Sequence, residues 1–354
     1  MHPVQRVRQA ARLTLATSLQ VTGALGLLRR RRMAGHAVIL MYHRILPRKL
    51  ARYDYAPNGM TVTTDLFERQ MRYLAQHYRT LTLPELYERL EQGLKTGQDG
   101  RPLAAVTFDD GWHDNYVHAL PRLQRHRVPA TLFVATGFID GDTDCHWLEH
   151  MKLVLAHAYQ VLREQAAGAQ EKALRQTLEN MGLEILCRGD AVELGPLLAA
   201  HARGIAALPP DARDRHMADV QRVAELSAFP GTRYYMNWKE LRELADAGIC
   251  IGAHTRTHRE LPEVPDEQLG DELEGAGETL RKRLGQPVMH FAYPYGKHDT
   301  RIRAAVARAG YASACSTQSG LVSRNSSPLA LERINLHSAV SLNQAMFACR
   351  LLEI

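Results

Sequence analysis

Closely spaced cysteines are absent from this chain. Cys145, Cys187, Cys250, Cys315 and Cys349 are odd in number, widely spaced and never in a Cys-x-x-Cys arrangement. Neither a disulfide framework nor a zinc–thiolate site is indicated, and free thiols fit a reducing compartment better than an oxidising one. A spanning helix needs about 20 consecutive apolar residues, and no such run is present. The nearest, Leu13–Leu28, is interrupted by Thr14, Thr17, Ser18, Gln20 and Thr22. Tandem repeats and low-complexity tracts are also missing. Residues 1–32 contain no Asp, Glu or Lys, but they hold seven arginines. Setting those seven aside from the 44 basic residues leaves 37 against 38 acidic ones. The body of the chain is therefore close to neutral, and its pI of about 9.1 does not mark a nucleic-acid binder.

The N-terminal charge brackets the interrupted apolar run, with Arg6, Arg8 and Arg12 before it and Arg29-Arg30-Arg31-Arg32 after it. A cleavable export signal would place a small-residue cleavage site where the four arginines stand, and such a cluster tends to stay on the cytoplasmic side. Residues 1–35 read as a segment held at a membrane surface by apolar burial and by arginines on anionic lipid, on the cytoplasmic rather than the periplasmic face. A basic tail or an uncleaved export signal is the alternative.

From Ala37 onward, short apolar runs alternate with amphipathic helices. Strands are expected at Ala37–Tyr42, Leu103–Phe108, Ala130–Ala135, Ile249–Ala253, Met289–Tyr293, Tyr311–Ser316 and Leu331–Leu336. Near-continuous apolar runs suit parallel strands covered on both faces. Between them, Asp65–Tyr78 reads as a helix with an Asp65-x-x-Glu68 cap, and Thr82-x-x-Glu85 is a capping box that tolerates Pro84. Further helices start at Asn237 and at Asp266 and run over Thr300–Ala309, stopping at Gly248, Gly285 and Gly310 respectively. A strand–helix unit repeated about seven times argues for a parallel barrel or a doubly wound sheet. The rhythm breaks at about 146–229. There Leu153–Ala166, Glu171–Met181 and Pro196–Ala202 read as helices, Leu208-Pro209-Pro210 as a break, and the whole as a helical insertion.

Chemically capable residues fall at the C-terminal ends of these strands, where active sites of barrels and open α/β sheets collect. They are His43, the pair Asp109-Asp110 within Thr107-Phe108-Asp109-Asp110-Gly111, the stretch His254-Thr255-Arg256-Thr257-His258, Tyr293-Pro294-Tyr295-Gly296, and His337. Adjacent buried carboxylates are costly unless a metal or a reaction uses them. Two histidines four apart that share a face, with one carboxylate, make a three-ligand metal site with open positions. The same donor set suits non-haem iron, so ligand type alone does not separate hydrolysis from oxygen chemistry. Trp112, Trp147 and Tyr295 are candidates to stack on sugar rings, although core packing is the commoner role of an aromatic.

Taken together, these motifs resemble the polysaccharide deacetylases, the NodB-homology or carbohydrate esterase family 4 domain. The resemblance runs from Val38 to about Val340 outside the insertion. The opening Val38-Ile39-Leu40-Met41-Tyr42-His43 is similar to the exopolysaccharide-modifying branch. The resemblance implies a distorted (β/α)7 barrel over residues 36–354 and metal-dependent removal of N-acetyl, or O-acetyl, groups. The substrate would be a sugar of a surface or extracellular polysaccharide or of its lipid-linked precursor. By position, Asp110, His254 and His258 would hold the metal, zinc most often in this family, with nickel or cobalt also serving. Asp109 would be the base toward a metal-activated water, and the backbone N–H of Tyr295 would stabilise the oxyanion.

Two features depart from the family pattern. Ala292 stands where many relatives carry an arginine that orients the base, and no Asp-x-x-Asp-Trp motif is recognisable. The general acid is then His43, which matches the histidine of the Met-Tyr-His opening, in preference to His337. The missing arginine and the insertion also motivate a rival reading, a non-catalytic membrane-associated component of polysaccharide assembly that keeps the metal-binding fold.

Overall fold

The apolar runs form strands buried along nearly their whole length, as parallel strands covered on both faces should be. The computed structural model describes residues 3–51, 60–94, 100–139, 143–164, 168–188, 194–227 and 233–354. Its strands are β1 (His36–Tyr42), β2 (Arg44–Leu46), β3 (Thr61–Thr63), β4 (Arg79–Leu81), β5 (Leu103–Phe108), β6 (Ala130–Val134), β7 (Cys250–Ala253), β8 (His290–Ala292), β9 (Ser313–Cys315), β10 (Val322–Ser323) and β11 (Ile334–Asn335). The parallel order is β11-β1-β5-β6-β7-β8-β9, with β4 also pairing β5 and β10 lying antiparallel to the start of β1. The segment containing β11 reaches both margins of this curled wall. Leu331 bridges to Cys315 at the end of β9, while Ile334 and Asn335 pair with Leu40 and Met41 of β1. This is the distorted barrel of the NodB type; six of the expected strands lie within two residues of where the sequence puts them, and the seventh, expected at Leu331–Leu336, is only Ile334–Asn335.

Two compact units make up the chain. The first comprises Met1–Arg48, Gly59–Asp142 and Tyr234–Ile354, and the second comprises Lys49–Asn58 and Thr143–Arg233. In the first unit the helices cap largely as their sequences dictate. Thr82 and Asn237 each form a capping box, with Glu85 and Glu240 respectively. The Asp65 cap is a correction, because the helix Thr64–His77 starts one residue earlier behind Thr63. Asp65 lies inside its first turn and pairs with Arg48 at 2.9 Å and Arg69 at 3.3 Å. The second unit has helices and no strand among its described residues, and it has its own core, including Val154, Leu155, Leu178, Leu198 and Val220. One of its helices, Pro210–Leu226, is absent from the sequence expectations. It starts at the Leu208-Pro209-Pro210 break, where Pro210 is well placed to begin a helix.

The N-terminal segment forms the helices Pro3–Val21 and Ala24–Arg32, the first packed along the C-terminal helix Gln344–Arg350. Ala16 and Leu25 are buried, whereas Leu13, Leu15, Val21 and Leu27 are exposed, as are Arg30, Arg31 and Arg32. Among the described residues no helix is long and apolar enough to cross a membrane.

Candidate functional site

Every expected metal ligand arrives at the same end of the barrel. Asp110 follows β5, and His254 and His258 follow β7. Oδ1 of Asp110 lies 3.3 Å from Nε2 of His254 and 3.2 Å from Nε2 of His258. Ligand atoms held tetrahedrally about 2.0–2.1 Å from one zinc ion stand about 3.3 Å apart, so the spacing suits a shared ion. Asp110 Oδ1 is also buried and has no hydrogen-bond partner among the described residues, which is costly for a carboxylate oxygen unless a cation meets it. The other oxygen, Oδ2, accepts from the indole N–H of Trp112 at 2.8 Å. His254 Nδ1 lies 2.7 Å from the carbonyl of Ala292; donation to that oxygen turns the Nε2 lone pair toward Asp110. Burial acts to raise the Asp110 pKa, but His258, His254 and His43 outweigh it and hold the carboxyl well below its usual range.

The backbone is strained at this end. Asp110, Thr255, His258 and Tyr295 all have left-handed φ, of 76°, 67°, 59° and 56°. Such conformations cost on the order of 1–3 kcal/mol each in non-glycine residues and gather where function needs them. Gly111, at φ 86°, continues the turn that follows the paired carboxylates. Gly296 is required sterically, since a Cβ there would stand 2.6 Å from the backbone nitrogen of Thr317.

Asp109 has a partner that the sequence reading does not find. Arg333, fully buried just before β11, donates from Nη1 to Oδ1 at 2.7 Å and from Nη2 to Oδ2 at 2.8 Å. The guanidinium is itself held by the Ser316 carbonyl at 2.9 Å and the Thr107 hydroxyl at 3.2 Å, and it lies over the Phe133 ring. Burial alone would raise the Asp109 pKa; Arg333, with His254 and His43, reverses this and keeps the group below its ordinary value. An arginine is therefore present at the base, but it comes from a different strand than Ala292. Little in the sequence marks it, because Arg333 lies in Leu331-Glu332-Arg333-Ile334-Asn335-Leu336 among polar neighbours, where an arginine ordinarily reaches solvent.

His43 Nε2 is 3.9 Å from Asp109 Oδ2, and its loop is tied to the residues after the paired carboxylates. Asn115 donates to the His43 carbonyl at 2.8 Å, and Asp114 accepts from the Ile45 N–H at 2.7 Å and from Arg44 Nε at 3.0 Å. Burial lowers the His43 pKa, with Asp110 and Asp109 opposing in part. His337 offers its carbonyl to the Ser341 hydroxyl at 2.8 Å. Burial and the charge of Arg350 on the C-terminal helix lower its pKa. Among the aromatics, Trp112 is buried against Tyr235, ring centroids 4.7 Å apart, so it positions Asp110 and offers no surface to a sugar. Tyr295 is 54% exposed beside His258, ring centroids 4.9 Å apart. The Trp147 side chain lies outside the described residues.

A parallel barrel carrying an Asp–His–His cluster beside a second, arginine-paired carboxylate defines a hydrolase-type site. The polysaccharide deacetylase family profile matches residues 96–184 and 221–314, and the chain belongs to this family of hydrolases. It is 21% identical over 304 residues to the Bacillus subtilis (strain 168) protein YxkH, named for the same family, covering 86% of this chain and 72% of that one. Among solved structures, it is similar to the Streptococcus pyogenes deacetylase PplD in complex with acetate, with a TM-score of 0.56 at 20% identity over 88% of this chain and 98% of that one. It is also similar to IcaB from Ammonifex degensii, with a TM-score of 0.53 at 18% identity over 89% and 97% of the two chains.

Proposed function

We propose that the protein is a metal-dependent deacetylase removing N-acetyl groups from sugars of a surface or extracellular polysaccharide, or of its lipid-linked precursor. The observation that carries this reading is the Asp109–Arg333 pair standing beside the Asp110, His254 and His258 cluster. A divalent ion held by those three residues, zinc by the donor set with nickel or cobalt as alternatives, supplies Lewis-acid polarisation and lowers the pKa of water from 15.7 toward about 7. Asp109, kept anionic by Arg333, accepts the proton of the attacking water as general base. His43 donates a proton to the departing amine, and the backbone N–H of Tyr295 donates to the developing oxyanion. His337 is left a structural part. The arginine gap at Ala292 and the helical insertion motivate the non-catalytic reading, and Arg333 beside Asp109 weighs against the first of these.

The exposed Arg30, Arg31 and Arg32 support a second element of the proposal, contact with anionic lipid on the cytoplasmic face of a membrane. Sedimentation with anionic vesicles, abolished when those arginines become glutamine, tests it.

For the reaction, acetate release from N-acetylglucosamine oligomers and lipid-linked N-acetylated sugars is the direct assay. Release should stop with chelator, return with zinc, and fall about 10²–10⁴-fold in Asp109→Asn. Release indifferent to both chelation and Asp109→Asn would end the proposed mechanism.

A further inference from the structure

Glu272 is a buried carboxylate to which the proposed chemistry gives no role. It stands in a π-helical turn, Asp271–Gly275, between the α-helical segments Asp266–Gly270 and Ala276–Leu284. π-Turns inside helices are rare and frequent at functional sites. The carbonyl of Leu273 within this turn accepts from the Tyr311 hydroxyl at 2.7 Å, which ties the turn to the body of the unit.

The Glu272 carboxylate reaches the loop that carries both histidine ligands. Oε2 accepts from the backbone N–H of Arg256 at 3.0 Å and of Thr257 at 2.9 Å, and Oε1 accepts from the Thr257 hydroxyl. All three donors lie between His254 and His258. The loop needs such ties, because Thr255 and His258 are both left-handed and Thr255 is β-branched and wholly buried. Further ties run from Thr136 N–H to the Thr255 carbonyl at 3.2 Å, from Gly137 N–H to the Arg256 carbonyl at 2.9 Å, and from His258 N–H to the Thr255 hydroxyl at 2.9 Å. Among these, Glu272 supplies the charge-assisted bonds, which are the stronger kind.

We infer that Glu272 is a positioning residue for the metal centre, clamping the 254–258 loop in the conformation that lets His254 and His258 share one ion with Asp110. The inference rests on the proposed metal site and deepens it. Loss of a partner that orients metal ligands typically weakens metal binding 10–100-fold.

The test is zinc affinity of the full-length protein by competition with a chromophoric chelator. Glu272→Ala should bind zinc about 10–100-fold more weakly while keeping wild-type far-ultraviolet circular dichroism. Glu272→Gln should retain most of the affinity, because its amide oxygen can still accept both backbone N–H groups. Thr257→Val, which removes only the hydroxyl bond, should lose about fivefold, the equivalent of one ordinary hydrogen bond. Should Glu272→Ala fail to fold, the ordering of Glu272→Gln and Thr257→Val still decides. Unchanged zinc affinity in folded Glu272→Ala, with only a lower melting temperature in chelator, would overturn the clamp and leave the metal site standing. A wild-type protein that binds no zinc, nickel or cobalt would overturn both.

Discussion

Replacing Arg333 with methionine is the sharpest perturbation the structure offers, because it removes both hydrogen bonds of a bidentate contact at once. The guanidinium is fully buried, Asp109 is 2% exposed, and the two bonds measure 2.7 and 2.8 Å. Breaking a buried pair from one side leaves the other charge uncompensated, at a cost of about 3–5 kcal/mol. Burial would then act on Asp109 without its main opponent, and the carboxyl pKa would rise from its present depressed position. The sign follows directly. In the wild type Asp109 is ionised at neutral pH, whereas in Arg333→Met the active, ionised form appears only as pH rises through the new, higher value. Chemical denaturation in chelator should therefore show a loss of about 3–5 kcal/mol at pH 7. Acetate release should fall at pH 6 by a larger factor than at pH 9. Adding Asp109→Asn to Arg333→Met should recover about 1–3 kcal/mol, since the orphaned charge is gone. A variant with wild-type stability and a wild-type pH profile would refute the pairing as the source of the Asp109 charge.

Two further outcomes follow from neighbouring residues. His43→Asn should lower acetate release about 10²–10⁴-fold while His337→Asn changes it less than tenfold, and the reverse order in a paired assay would move the general acid to His337. Burial pushes the His290 pKa down to about 4. The unfolded chain takes up that proton near pH 6.5, so stability is complete above this pH and declines by up to about 3 kcal/mol as pH falls toward 4. In denaturation curves across that window His290→Gln should flatten the decline, and an unaltered slope would show that His290 is not its source.

Much of this molecule is written locally in its sequence, and the parts that are not share a cause. The strands could be read because seven apolar runs keep their own period, and the metal ligands because Asp110, His254 and His258 are unusual residue types at strand ends. Residue type and local spacing do not reveal Arg333, which is separated from Asp109 by 224 positions, or Glu272, which meets a loop on a different turn of the chain. Their roles exist only once the barrel has closed. The short strands β2, β3, β4 and β10 were missed for a related reason: each is two or three residues long and forms by pairing with a neighbour, with no apolar run of its own to mark it.

The arginine at the base makes the argument concrete. Ala292 ends β8, Cys315 ends β9 opposite it, and Leu331 bridges to Cys315, so the segment carrying Arg333 lies two steps around the barrel from Ala292. A guanidinium entering from that segment meets Asp109 from another side of the same buried space. Ala292 meanwhile offers its carbonyl to His254. What the chemistry requires of the chain is a fixed cation against both oxygens of Asp109, and here the segment leading into β11 supplies it. Putting an arginine at Ala292 while Arg333 remains should therefore place two like charges around one carboxylate and destabilise the fold. The same substitution in an Arg333→Ala background should be tolerated better, and strict additivity of the two changes in denaturation experiments would refute the idea that both positions address one space.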